Sequence, residues 1–174
     1  MIDPVEELLG EALYMHQFKI NGKMAFEGDV WQWHQDYGTW RNDDLMPTER
    51  AMNVAIFLDD VKPFNGPLMF IPGGIVSPNG PAGSMILFHS CLVHASTSNL
   101  SPWNRVSVYL SLCAVSNNIR RFKRPEYIAH RDFSAIECLP DDCLLCNYPV
   151  DLPWRDGIPA SALQTVVDQL ELTA

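Results

Sequence analysis

Between Gly22 and about residue 115, short apolar runs alternate with clusters of Gly, Pro, Asn and Asp. That texture breaks any long helix and calls for strands joined by turns. Four runs read as strands: "MNVAIFLDD", "GPLMFIPG", "GSMILFHS" and "RVSVYLSLCAV". Helical signals sit only at the two ends. Asp3, Pro4 and Glu6 supply a cap, a first-turn proline and an acid at the third position. Leu8, Leu9, Ala12 and Leu13 then share a stripe. Near the other end, Ser161 and Gln164 form a capping box, followed by Leu163, Val166, Val167 and Leu170. The expectation is one mostly β domain over residues 1–174, a sandwich or jelly roll flanked by helices.

The strand at 105–111 has two unlike faces. Arg105, Ser107, Tyr109 and Ser111 share one, while Val106, Val108 and Leu110 share the other. "HQFKIN" behaves likewise, with Gln17, Lys19 and Asn21 together. Such polar faces either meet water, the commoner case, or line a polar cavity inside a small barrel.

Charge and composition narrow the partners. The formal net charge is −9, and no basic face is visible, which argues against nucleic acid. The one basic cluster, "RRFKR" at 120–124, reads as a solvated loop. There is no secretory signal at "MIDPVEELLG" and no apolar run long enough to span a membrane, so a cytoplasmic protein is expected. Cys91, Cys113, Cys138, Cys143 and Cys146 are an odd set, unsuited to a disulfide framework. The lone C-x-x-C of Cys143 and Cys146, even with Cys138 and His130, fits no standard zinc spacing. These are read as reduced thiols.

The stretch "WQWHQDYGTW" carries the chemistry. On a strand, His34 and Asp36 would point the same way and reach one point in space. They are half of a 2-His-1-carboxylate triad, the site type that holds non-haem Fe(II) with open positions. The second histidine would be His89 or His94; five apart on one strand, they face opposite ways, so only one can be a ligand. Arg105 could pair bidentately with an anionic co-substrate.

In that order, these residues make the chain resemble the phytanoyl-CoA dioxygenase family of Fe(II)- and 2-oxoglutarate-dependent oxygenases, and within it the ectoine hydroxylases and their paralogues. The resemblance rests on "HQFKIN", "WHQDYGTW", "NGPLMFIPG", "GSMILFH", "HASTSNLSPWNR" and "RPEYIAHRDF". It implies a double-stranded β-helix, a cupin-like jelly roll. It implies that His34, Asp36 and His94 bind iron, and that Arg105 grips the distal carboxylate of 2-oxoglutarate. Ser96, Asn21 and Trp31 would add contacts to that co-substrate; strand parity sets Trp31 opposite His34, so its role requires a bulge or an indirect contact. Gln17, Trp40, Phe88 and Tyr109 match positions that line the substrate pocket. His89 is expected to be structural.

The reaction implied is hydroxylation by O2 of an unactivated C–H bond in a small zwitterion, ectoine-like or an amino or imino acid, with succinate and CO2 as co-products. A homodimer is compatible with the resemblance. Thr39, Trp40, Asp44, Met46 and Pro47 follow the ectoine hydroxylase pattern, whereas Gly38 and Arg41 replace an acid and a histidine. Relatives also carry a longer segment before the point matching Met1 and a longer bridge where this chain has only "GIVSPNGPA", 74–82. The resemblance therefore describes a shortened form, and the alternative is a truncated jelly-roll binding module with a metal site and no turnover.

Overall fold

The computed structural model describes residues 2–139. The chain divides into two compact units, Met1–Glu137 and Cys138–Ala174, and every site residue named above lies in the first. The C-terminal capping box and the C-x-x-C pair fall outside the described residues.

Strand alternation builds two antiparallel sheets. The larger joins β1 (Leu13–Lys23), β7 (Arg105–Ala114), β3 (Ala51–Phe57) and β5 (Met85–His89), in the order β1-β7-β3-β5. The smaller joins β2 (Trp31–His34), β6 (His94–Ser96) and β4 (Leu68–Phe70), in the order β2-β6-β4. All four runs read as strands form strands.

Register decides what the polar faces do. Gln17 pairs with Ser111, Ser111 with Asn53, and Asn53 with Phe88, a single row across the large sheet. Lys19–Tyr109, Asn21–Ser107 and Lys23–Arg105 form the successive rows. Gln17, Lys23, Asn53, Arg105, Ser107 and Ser111 are all buried. The polar face thus turns inward. Opposite it, Leu68 and Phe70 of the small sheet pack on Ala55 and Phe88 of the large one.

The outward face of the large sheet is apolar and carries helix α1 (Ile2–Leu9), whose Ile2 and Val5 pack with Leu13, Met52, Val54 and Leu112. This helix departs from expectation. It begins at Ile2, with Asp3 inside its first turn rather than capping it. It stops at Leu9 because Gly10 takes φ +72, the left-handed geometry that ends helices, and donates its N–H to Glu6 O at 2.6 Å. Leu8 is consequently exposed and Leu13 starts β1 instead of extending the stripe.

Two irregularities re-aim side chains. The ladder shifts between Met15 and Gln17, so neighbouring His16 and Gln17 are both buried. It shifts again between Trp31 and His34, so strand parity no longer sets these two side chains on opposite faces. Among the described residues no helix is long and apolar enough to cross a membrane.

Candidate metal centre and its cavity

His34 ends β2 and His94 opens β6, and the two are register partners. Asp36 does not continue the strand, contrary to the sequence reading. It opens helix α2 (Asp36–Asp44), where an acid in the first turn complements the helix dipole. The turn between β2 and α2, rather than strand alternation, brings the carboxylate back to the histidine. One ligand atom from each of His34, Asp36 and His94 lies within 4.8 Å of the others. His34 Nε2 is 3.6 Å from Asp36 Oδ1, and His94 Nε2 is 3.5 Å from Asp36 Oδ2.

Both imidazoles are oriented in the same way. His34 Nδ1 lies 2.6 Å from Gln32 O, and His94 Nδ1 lies 2.9 Å from Leu92 O. A carbonyl only accepts, so each Nδ1 carries the proton and each Nε2 presents a lone pair toward Asp36. In the protonated ring a hydrogen bond donated by Nε2 to Asp36 holds the His34 pKa above its usual value, while burial pushes His94 down. Burial pushes Asp36 up, but His34's hydrogen bond and the charges of His94, His34 and Lys19 outweigh it, and the carboxyl stays below its ordinary pKa. The donor set, two imidazole nitrogens and one carboxylate on a face open to a cavity, fits a ferrous ion.

That cavity measures about 550 Å³, within the range of small-molecule sites. Gln17, Asn21, Trp31, Trp40, Phe88, Ser96 and Tyr109 all line it, together with the three candidate ligands. Among the described residues Asn21 Oδ1 is buried without a partner. His89 ends β5 away from the cluster, and its Nδ1 accepts the Cys91 N–H at 3.2 Å.

Comparison with known proteins places this geometry. The sequence profile described as "Phytanoyl-CoA dioxygenase (PhyH)" matches residues 1–74. L-proline trans-4-hydroxylase of Streptomyces griseoviridis is 32% identical over 181 aligned positions, covering 78% of this chain and 68% of the relative. The chain belongs to the phytanoyl-CoA dioxygenase family. Ectoine dioxygenase of Sphingopyxis alaskensis is 31% identical, over 75% of this chain and 58% of the relative. Among solved structures, EctD from S. alaskensis superposes with TM-score 0.74 at 34% identity, covering 78% of this chain and 58% of that one. It has also been solved with bound Fe and with 2-oxoglutarate and 5-hydroxyectoine. The match identifies the two sheets as the family's double-stranded β-helix. The chain spans about three fifths of the ectoine dioxygenases it matches. The 181 aligned positions exceed the chain's 174 residues, so the relative has residues that this family member lacks.

Arg105 lies beyond the cavity wall, against the Tyr109 hydroxyl. Its Nε donates to Asn65 O at 3.3 Å, Nη1 to Ser107 Oγ at 3.3 Å, and Nη2 to Gly66 O. Beside it, in register, is a second buried cation that the sequence reading missed. Lys23 donates to Thr97 O at 2.8 Å and to Asp29 O. Burial first, then the Arg105 charge, push its ammonium down to about 8. Gly66, at φ +74, lies against the Lys23 stem, and a Cβ there would stand 2.8 Å from Thr97 O. Both neighbouring cations donate to carbonyls and a hydroxyl, and the Asp29 charge also acts on Lys23.

Lys19 and Arg124 also reach the cavity. Arg124 corrects the reading of "RRFKR" as a plain solvated loop. Its Nε sits 3.0 Å from both oxygens of the buried Asp44, which Nη2 also contacts. Gln17, expected at the substrate, donates through Nε2 to Ile128 O at 2.8 Å and so holds the same segment over the cavity.

His16 is enclosed between these groups, edge-on to Trp40 at 4.9 Å and 3.3 Å from Arg124 Nη2. Its Nδ1 has no partner among the described residues. Burial, then Arg124, push its pKa down to about 3. In the unfolded chain the ring protonates below about pH 6.5, so the native state binds fewer protons between that value and about 3. From this group alone, stability falls by about 1.4 kcal/mol per pH unit through that window as acid is added. His16→Leu is therefore expected to flatten the acid limb of a urea-unfolding series from pH 6.5 to 4; an unchanged slope relative to wild type would contradict it.

Proposed function

We propose that this chain is an Fe(II)- and 2-oxoglutarate-dependent hydroxylase of a small zwitterionic metabolite. The single observation that carries this is the convergence of His34, Asp36 and His94, with both Nδ1 atoms already committed to carbonyls, on a cavity of suitable size. These three residues would hold the metal on one face and leave its other face toward the cavity. Bound iron supplies the oxidative chemistry, coupling conversion of 2-oxoglutarate to succinate and CO2 with C–H hydroxylation.

The remaining residues bind and orient. A distal carboxylate at the Arg105 end would offset the two buried cations and gain Ser96, Asn21 and Tyr109 as polar neighbours. Trp31 stands beside His34, ring centroids 6.3 Å apart, at the rim. For the substrate, Lys19 and Arg124 offer charge to a carboxylate, while Trp40, Phe88 and Tyr109 offer aromatic faces to a cationic nitrogen. The L-proline and ectoine enzymes among its relatives name substrates of that class. A CoA thioester fits poorly, because a chain of net charge −9 offers little to its phosphates.

Anaerobic addition of Fe(II) and then 2-oxoglutarate tests the reading: a metal-to-ligand charge-transfer band should appear, and absence of any band would overturn it. Arg105→Gln should weaken 2-oxoglutarate binding about tenfold to a hundredfold, the worth of a charge-assisted pair, with metal affinity unchanged. With air admitted and ectoine, proline and related compounds supplied, succinate should form in excess of a no-substrate control. The charge-transfer band without succinate would instead identify a binding module, a reading favoured by the residues this chain lacks relative to the proline hydroxylase.

A further inference from the structure

Asn53 is a polar side chain in an otherwise apolar strand, β3, and is 4% exposed. Burying an amide is costly unless its donors and acceptor are met. Here Nδ2 donates to Asp36 Oδ2 at 2.8 Å, and Oδ1 accepts from Ser111 Oγ at 2.8 Å. Ser111, also buried, sits on β7 as the register partner of Asn53. A relay therefore runs Ser111–Asn53–Asp36, from the large sheet into the cluster built otherwise on the small sheet and α2.

We infer that Asn53, supported by Ser111, is a positioning residue that fixes the rotation of the Asp36 carboxylate and keeps it a one-oxygen ligand. This rests on the iron-site reading above. The two histidines are each oriented by a carbonyl two residues earlier in the chain. Asp36 has no such local device, and α2 has no side-chain cap to brace its first turn. Free to rotate, its carboxylate could present either oxygen, since Oδ1 faces His34 and Oδ2 faces His94 at nearly equal distances. A hydrogen bond donated to Oδ2 draws electron density from that oxygen and holds the plane, leaving Oδ1 the stronger donor. A carboxylate held to one oxygen also occupies a single coordination position, which preserves the open face that a chelating keto acid needs. Ser111, by donating to Asn53 Oδ1, prevents the amide from flipping and offering its oxygen to Asp36 instead.

The test is Co(II) titration of the folded apo protein, followed by calorimetry and by visible absorption, with no turnover required. Asn53→Leu keeps the volume and removes the donor; it should weaken Co(II) binding about tenfold to a hundredfold and change the ligand-field spectrum. Ser111→Ala should shift both in the same direction by a smaller factor. A purely structural role would lower the melting temperature of the apo protein while leaving the Co(II) affinity and spectrum of the folded fraction as in wild type, and that result overturns the inference. Should Asn53→Leu fail to fold, Ser111→Ala decides: unchanged affinity and spectrum overturn it as well. Wild-type protein that binds no Co(II) would instead sink the iron-site reading itself, whereas tight wild-type binding with unaltered variants sinks only the relay.

Discussion

His94→Ala should reduce iron-dependent succinate formation to background and weaken Co(II) or Fe(II) binding by at least about 100-fold, since loss of an outer-shell contact alone costs 10- to 100-fold. Of the three candidate ligands it is the most deeply buried. The ring is 6% exposed and wedged between Phe70 and Phe88, at centroid distances of 6.2 and 5.1 Å. His89, five residues earlier, ends β5 and is turned back on its own loop, where it accepts the Cys91 N–H. His89→Ala is the matched control, since it removes an imidazole of equal size from the preceding strand, in the other sheet, and should retain both metal binding and turnover. If the two variants behave alike, in either direction, the assignment of His94 is wrong. Circular dichroism on both proteins separates loss of ligation from loss of fold.

The strands were legible because each carries a period-two or continuous apolar signal bounded by Gly, Pro, Asn or Asp. The α2 helix was not. Its buried residues are only Trp40 and Asp44, four apart; Tyr37 adds a partly buried ring on the same side, and the rest of "DYGTWRNDD" is polar or Gly, so the apolar stripe is only two rings long. Helix formation there follows from tertiary contacts of that one face. His34 and Asp36 were nonetheless recognisable, because a short spacing keeps two side chains near each other whether the second opens a helix or continues a strand. The inward polar face of β1 and β7 was visible as a pattern, but which way it pointed was not. Alternation specifies two faces, and only the second sheet, with Leu68 and Phe70 against Ala55 and Phe88, says which is covered. Bulges at His16 and between Trp31 and His34 are backbone events without a residue signature. Asn53 could have been found from sequence as the one amide in "MNVAIFL". Lys23 and Arg124 could not, since Thr97 and Asp44, which help to hold them, lie 74 and 80 residues away.

Asp44→Ala is expected to give the largest stability loss, about 3–5 kcal/mol, the usual result of removing one partner from a buried ion pair and stranding the other. The buried Asp44 carboxylate meets Arg124 through both oxygens, with His16 Nε2 3.8 Å away. The substitution leaves the Asp44 carbonyl in place, and that carbonyl still accepts the Arg120 and Arg121 N–H groups at 3.0 and 2.8 Å. The covering segment should therefore stay attached at its start and loosen from Arg124 onward, where Arg124, Tyr127 and Ile128 form one wall of the cavity. Loosening that wall should raise the KM for the organic substrate more than that for 2-oxoglutarate, whose proposed anchor, Arg105, lies at the other end of β7. Urea unfolding of wild type, Asp44→Ala, Arg124→Ala and the double variant measures the pair directly. A favourable coupling of about 1.5 kcal/mol or more is expected for a pair this enclosed. Strict additivity would mean that the pair does not hold this wall, and that the backbone bonds from Arg120 and Arg121, with Gln17 to Ile128, suffice to keep the cavity closed.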